Sequence, residues 1–205
     1  MLADAAFPEH DPDGPVSPGL RVRVTLKKMP TAYIGMGGNL ASSAGPPEAT
    51  LAAAARRLDS LEQLISRSSL YSTAPVGFAA QPRFINAVVA LATKLGPREL
   101  LDALLAIEQD FGRDRIASIA NGPRTLDLDI LLFEDLEISE PDLKIPHPRL
   151  SERAFVLVPL NEIAPQVIVP GRGETVAQLL AALSRDPRSD PNAVIRLPCL
   201  LWDSR

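Results

Sequence analysis

The chain has 205 residues, 46 % hydrophobic and 22 % charged, with a formal net charge of −4, a composition that supports a globular core. A pI near 5.3 and an aromatic content of 4 % argue against a general nucleic-acid or membrane-surface binder, and no apolar run approaches the roughly 20 residues of a membrane helix. The single cysteine, Cys199, excludes an intramolecular disulfide, and no basic-then-apolar leader is visible between Met1 and Pro30, so the expected compartment is the cytoplasm.

Residues 1–28 are rich in Pro, Asp and Gly without periodicity and are expected to be a flexible extension. Thr31 to Met36 reads as a short strand ending in the turn chemistry of Gly37-Gly38-Asn39. Pro46 and Pro47 open a helix to about Leu61, with Leu51, Ala54, Ala55, Leu58 and Leu61 on one face. Ile65 to Ser72 is predicted as a second strand. Phe84 to Thr93 is a third, almost wholly apolar and therefore central.

Pro97 starts a second helix to about Phe111, with a stripe of Leu100, Leu101, Leu104, Leu105 and Ile107. A loop rich in arginine, 112–124, leads into a fourth strand, 125–133. Strand, helix, strand, strand, helix, strand is the order of the ferredoxin-like split unit. Further on, Ser151 to Ile163 reads as a helix with Pro159 inside it, Val167 to Val169 as a strand and Thr175 to Leu183 as a helix. These later pieces are expected to cover the remaining face of the sheet. The expected fold is therefore α+β, a ferredoxin-like antiparallel sheet with helices on both faces in three layers. Its boundaries are an extension over 1–28, a domain over 29–184 and a C-terminal tail over 185–205, which the sequence does not place.

The most informative stretch is Gly122-Pro123-Arg124-Thr125-Leu126-Asp127-Leu128-Asp129-Ile130. Alternate strand residues share a face, so Asp127 and Asp129 project together, with Cα atoms roughly 6 to 7 Å apart. Two hard oxygen ligands at that separation suit Mg²⁺ shared with a polyphosphate. A pair of aspartates that discourages edge pairing is the alternative. Arg113 and Arg115 upstream, Arg124 beside the pair, and His147, Arg149 and Arg153 downstream make a mixed-sign cluster. Arginine forks bind phosphate oxygens in bidentate fashion; ordinary surface ion pairing is the other reading of the same residues. Asn86, at the start of an apolar strand, is either a ligand-reading amide or the closure of a turn. Phe84 and Phe155 are either plain core or the two walls of a flat heterocycle. No Walker-type loop, dinucleotide fingerprint or cysteine–histidine metal spacing occurs.

With these residues in view, the chain resembles the 6-hydroxymethyl-7,8-dihydropterin pyrophosphokinase family from Tyr33 to about Leu183. The segments that carry the resemblance are Tyr33 to Leu40, Gln81 to Asn86, Gly122 to Ile130, Pro146 to Arg149 and Arg153 to Leu160. The resemblance implies transfer of a diphosphoryl group from ATP to a pterin alcohol in folate biosynthesis, with AMP as the other product. It implies two Mg²⁺ ions on Asp127 and Asp129, with Arg113 and Arg124 sharing the catalytic work. Arg113, Arg115, Arg124, His147 and Arg153 are implied to hold the triphosphate, and Glu108 and Ile130 to lie on the nucleotide side. Asn86 is implied to read the pterin amide edge, Phe84 and Phe155 to sandwich the ring, and Thr73 and Val76 to complete the pocket. The loop from Arg113 to Gly122 is the candidate lid. Expected partners are these small molecules, with neither nucleic acid nor membrane, and the expected state is a monomer. Two rival classes share the topology: a metabolite-sensing module, which leaves the aspartate pair unexplained, and an RNA-binding sheet, which needs exposed aromatics and a basic surface.

Overall fold

The structure, a computed structural model, describes residues 29–75, 80–114, 122–185, 194–198 and 202. Its elements are β1 (Thr31–Gly38), α1 (Pro47–Leu61), β2 (Gln63–Arg67), β3 (Leu70–Thr73), β4 (Phe84–Ala92), α2 (Pro97–Asp110), β5 (Asp127–Phe133), β6 (Ile138–Ser139), β7 (Lys144–Ile145), α3 (Ala154–Ile163), α4 (Val176–Ser184) and β8 (Val194–Leu197). The main sheet runs β5-β1-β4-β3-β8, with β2 also paired to β4, and all its pairings are antiparallel.

The near-continuous apolar run of β4 fits its place, since it pairs with β1, β2 and β3 and is covered on both faces. One face, carrying Ile34, Met36, Ala87, Val89, Leu128 and Ile130, packs on Leu51 and Leu58 of α1 and Leu100, Leu104 and Ile107 of α2. The other, carrying Val88, Leu131 and Leu132, packs on Leu157 and Leu160 of α3 and Val176 and Leu179 of α4. This is the expected α+β arrangement of three layers. The prolines at the first position of α1 and α2 act as helix starts, where the missing N–H costs nothing. Thr175 caps α4 by accepting from the Gln178 amide, with the Gln178 side chain returning the contact.

Three expectations are corrected. The single strand predicted over 65–72 is two strands, broken at Ser68 and Ser69. There the Ser68 hydroxyl, not a carbonyl, accepts the Val88 amide at 3.0 Å, so a side chain interrupts the backbone ladder. The helix predicted from Ser151 begins as a 3-10 turn, Leu150–Glu152, and becomes α-helical only at Ala154. At Val167–Val169 there is no strand, only an isolated bridge from Ile168 to Thr175. Beyond residue 184, β8 joins the sheet edge on β3. Trp202 is 1 % exposed, donating to the Ser68 carbonyl at 2.6 Å beneath the Arg67 guanidinium. The extension predicted over 1–28 lies outside the described residues. Among the described residues no helix is long and apolar enough to cross a membrane.

Candidate active site

The site grows from the register of the sheet. Paired residues on adjacent antiparallel strands project on the same side. Asp127 pairs with Gly37, and Gly37 with Asn86; Asp129 pairs with Gly35, and Gly35 with Val88. Both aspartates therefore face the α3 side beside two residues that have no side chain, and the sheet surface is hollowed there. The α3–α4 layer closes this face over Val88 and Leu131 and leaves the end at Asp127 and Asn86 open. The result is a cavity of about 450 Å³.

One wall is electrostatic. Arg124 meets Asp127 at 2.7 Å and Arg113 meets it at 3.5 Å, and the Arg124 guanidinium lies 5.2 Å from the centre of the Phe84 ring, a cation–π distance. The buried Arg124 Nε has no hydrogen-bond partner among the described residues, so this cavity-lining guanidinium keeps donor capacity for an anion. Arg149 and Arg153 line the same cavity, and Arg153 lies 5.4 Å from the Phe155 ring centre. Burial, then Arg149, pulls the Arg153 guanidinium below its ordinary pKa against the opposing pull of Asp129 and Asp127. The guanidiniums of Arg124, Arg149 and Arg153 share this lining with the carboxylates of Asp127, Asp129 and Glu152, a mixed-sign surface that suits a polyphosphate carried with a cation.

His147 is placed by a bulge. Between Tyr33 and Ile34 of β1 the pairing skips Leu131 of β5, and the carbonyl of this extra residue accepts the His147 amide at 2.9 Å. The preceding Ile145–Pro146 peptide is cis. His147 Nδ1 accepts the Arg149 amide at 3.1 Å, which leaves Nε2 as the protonated nitrogen of a neutral ring. Burial, then Arg153 and Arg149, pushes its pKa down to about 4. A folded pKa below the ordinary 6.5 means a stability contribution that is intact above pH 6.5 and lost as pH falls through about 4. In denaturant titrations across that window the parent is expected to lose stability that a His147→Asn variant keeps; parallel curves would refute the buried, neutral imidazole.

The other wall is flat and amide-lined. Asn86 is buried and its Nδ2 donates to the Thr73 hydroxyl at 2.8 Å, which fixes the amide plane. Phe84 and Phe155 also line the cavity, with Thr73. The structure thus brings Thr73, Phe84, Asn86, Arg124, Asp127, Asp129, His147, Arg153 and Phe155 together, with Arg113 against Asp127. Glu108 and Ile130 are not in this lining. Ile130 points into the α1–α2 core, and Glu108, 1 % exposed, accepts the Leu128 amide of the edge strand β5 at 2.7 Å. Val76 and Arg115 lie outside the described residues, as does most of the predicted lid.

Asn39 is a positioning residue that sequence reasoning treated only as turn chemistry. Its Oδ1 accepts the Arg124 amide at 2.8 Å, and the Asn39 and Leu40 amides donate to the Arg124 carbonyl at 2.9 and 3.0 Å. Its Nδ2 donates to Gln81 Oε1 and the Pro82 carbonyl, both at 3.0 Å. One buried amide therefore ties the loop before β5 to the loop before β4. The signal available in the sequence was a polar residue directly after a strand and two glycines, where only a satisfied amide can be buried.

A ferredoxin-like three-layer sheet with carboxylates and guanidiniums at one end of a cavity and aromatic rings and an amide at the other defines a group-transfer enzyme acting between a polyphosphate and a flat polar heterocycle. Comparison with known proteins makes this particular. The model of the family described as 7,8-dihydro-6-hydroxymethylpterin-pyrophosphokinase matches residues 33–165, and the chain belongs to that family. It is 47 % identical over 150 residues to the 2-amino-4-hydroxy-6-hydroxymethyldihydropteridine pyrophosphokinase of Pseudomonas aeruginosa, covering 73 % of this chain and 90 % of that one. It is 40 % identical over 171 residues to the enzyme of the same name from Methylorubrum extorquens, covering 82 % and 99 %. Among solved structures, the wild-type HPPK-DHPS of Plasmodium falciparum shares the fold with a TM-score of 0.57 at 16 % identity, over 76 % of this chain. This chain spans 45 % of that longer protein.

Proposed function

We propose that the cavity at the open end of the sheet is where this pyrophosphokinase moves a diphosphoryl group from ATP to the hydroxyl of 6-hydroxymethyl-7,8-dihydropterin. Family membership supports the reaction, ATP as co-substrate and the place in folate biosynthesis. The observation that carries the assignment of the cavity is the transverse row Asp127–Gly37–Asn86. It sets the phosphate-side carboxylate and the heterocycle-side amide on one face, with a residue lacking a side chain between them.

In this reading Arg113, Arg124, Arg153 and the neutral Nε2–H of His147 hold and orient the triphosphate, while Asn86, Thr73, Phe84 and Phe155 hold the pterin flat. The hydroxyl oxygen attacks the β-phosphorus in line, the bond from that phosphorus to the α–β bridging oxygen breaks, and AMP leaves. The hydroxyl proton passes to one of the two aspartates. Most of the acceleration comes from positioning and charge neutralisation. The donor set fits Mg²⁺: Asp127 and Asp129 are hard oxygen donors on one face, and no group of three or more candidate ligands exists among the described residues, as suits an ion that draws its other ligands from phosphate and water. Two such ions, when bound, supply Lewis-acid neutralisation of the phosphate charge. Asp127 already pairs with Arg124 and Arg113, so guanidinium and a bound cation would share this carboxylate. The protein is taken to act as a cytoplasmic monomer; the single cysteine supports the compartment, and gel filtration tests the state.

The test is product identity. Purified protein with ATP, Mg²⁺ and the pterin alcohol is expected to release AMP in step with pterin diphosphate, and removal of Mg²⁺ with a chelator is expected to stop it. ADP as the product, or ATP turnover that ignores the pterin, would refute the reading.

A further inference from the structure

The row Asp127–Gly37–Asn86 does not stop at Asn86. It continues through Tyr71 of β3 to Arg196 of β8, and two residues further along the same two strands Thr73 pairs with Val194. Thr73 and Val194 both line the cavity, and Thr73 holds the Asn86 amide. The outer part of the row ends on a single carboxylate that lies outside the cavity. Glu162 of α3 accepts the Ser69 hydroxyl on Oε1 at 2.7 Å, and on Oε2 the Ser69 amide at 2.8 Å and the Tyr71 hydroxyl at 2.9 Å. Arg196 pairs with Glu162 Oε1 at 3.6 Å and donates its Nε to the Ser69 hydroxyl at 2.7 Å.

We infer that Glu162 is a positioning residue for the heterocycle end of the cavity, fixing the β3–β8 edge on α3 so that Thr73 and Val194 keep their places beside Asn86. The need for such a device follows from the fold. β3 has four residues and β8, also four residues long, ends the path of the sheet, so few ladder hydrogen bonds hold this edge. Helix α3 is anchored independently by Val156, Leu157 and Leu160 in the second core. The carboxylate transfers that rigidity to the edge through donors from two strands. Burial pushes the Glu162 carboxyl up, but the Ser69 hydroxyl, the Ser69 amide and the Tyr71 hydroxyl together outweigh it and hold the group below its ordinary value. At neutral pH it is therefore the ionised acceptor that the network requires.

The inference rests on the pterin reading of the cavity and predicts a split between the two substrates. Glu162→Gln keeps the volume but turns an NH₂ group towards donors. It is expected to raise KM for the pterin alcohol about tenfold and to leave KM for ATP within about twofold, because Arg113, Arg124 and His147 are not tied to this edge and Arg153, the N-cap of α3, sits on a helix held by the second core. Tyr71→Phe, which removes one donor and keeps the ring, is expected to move the pterin KM the same way by about two- to threefold; it decides the matter if Glu162→Gln does not fold. A general loss of active protein would lower kcat and leave both KM values alone. That result, or equal rises in both KM values, would overturn the inference. A parent protein that does not turn over the pterin alcohol would instead refute the reading beneath it and carry this inference away with it.

Discussion

Replacing Asp129 by Asn is expected to lower kcat by about 10³-fold or more, because a transition state rich in phosphate charge loses one of the two anionic groups that would hold its neutralising cations. The substitution is close to isosteric. Asp129 sits opposite Gly35, on a strand whose buried neighbours Leu128 and Ile130 belong to the opposite core, so the melting temperature should stay near that of the parent. Asp127→Asn is expected to raise KM for ATP as well as lower kcat, because Asp127 meets Arg124 at 2.7 Å and Arg113 at 3.5 Å. Steady-state rates of AMP formation for the two variants, each substrate varied in turn, measure the difference. Turnover of Asp129→Asn within about tenfold of the parent would remove the carboxylate pair from the chemistry.

The contrast between those aspartates shows what the sequence could disclose. That Asp127 and Asp129 share a face follows from the period of a strand alone, and that β4 is central follows from its unbroken apolar run. The helix starts at Pro47 and Pro97 were equally legible, because proline at the first helical position has a local cause. The features that were not legible depend on partners distant in the chain. Ser68 breaks the predicted second strand because its hydroxyl meets Val88 across the sheet. β8 exists because β3 offers an open edge, and a four-residue strand after a proline-rich stretch gives no signal of its own. His147 reaches the cavity through the extra residue Leu131 in β5, a bulge that the alternation of side chains does not announce. Glu108, which the resemblance puts on the nucleotide side, also accepts the Leu128 amide of the edge strand β5, a partnership that only the fold makes visible. A local pattern decides which way a side chain points; register decides what it meets.

Gly38 gives the sharpest test of that register. Its backbone φ is not in the left-handed region, so conformational freedom is not the reason for a glycine there. The reason is distance: a Cβ at Gly38 would stand 2.4 Å from the Thr125 carbonyl oxygen and 3.1 Å from its carbon. Those are backbone atoms, and the neighbouring Arg124 is held on both its amide and its carbonyl by Asn39 and Leu40, so the loop has little room to retreat. Gly38→Ala is therefore expected to destabilise the protein by about 2 to 4 kcal/mol, and any relief must push Arg124 and with it the ion pair to Asp127, lowering activity in the molecules that remain folded. Gly37→Ala is expected to behave differently. Its Cβ would meet Asn86 Oδ1 at 2.8 Å, the end of a side chain that can turn, so the cost in stability is smaller, about 1 to 2 kcal/mol, and the damage falls on pterin binding. At Gly35 the nearest atom is Leu131 Cδ2 at 3.2 Å, and the mildest loss is expected. Urea unfolding of the three alanine variants should rank them Gly38, Gly37, Gly35 from most to least damaged. A Gly38→Ala protein with the parent's midpoint would show that the strand end and the loop before β5 do not approach as closely as the placement of Arg124 requires.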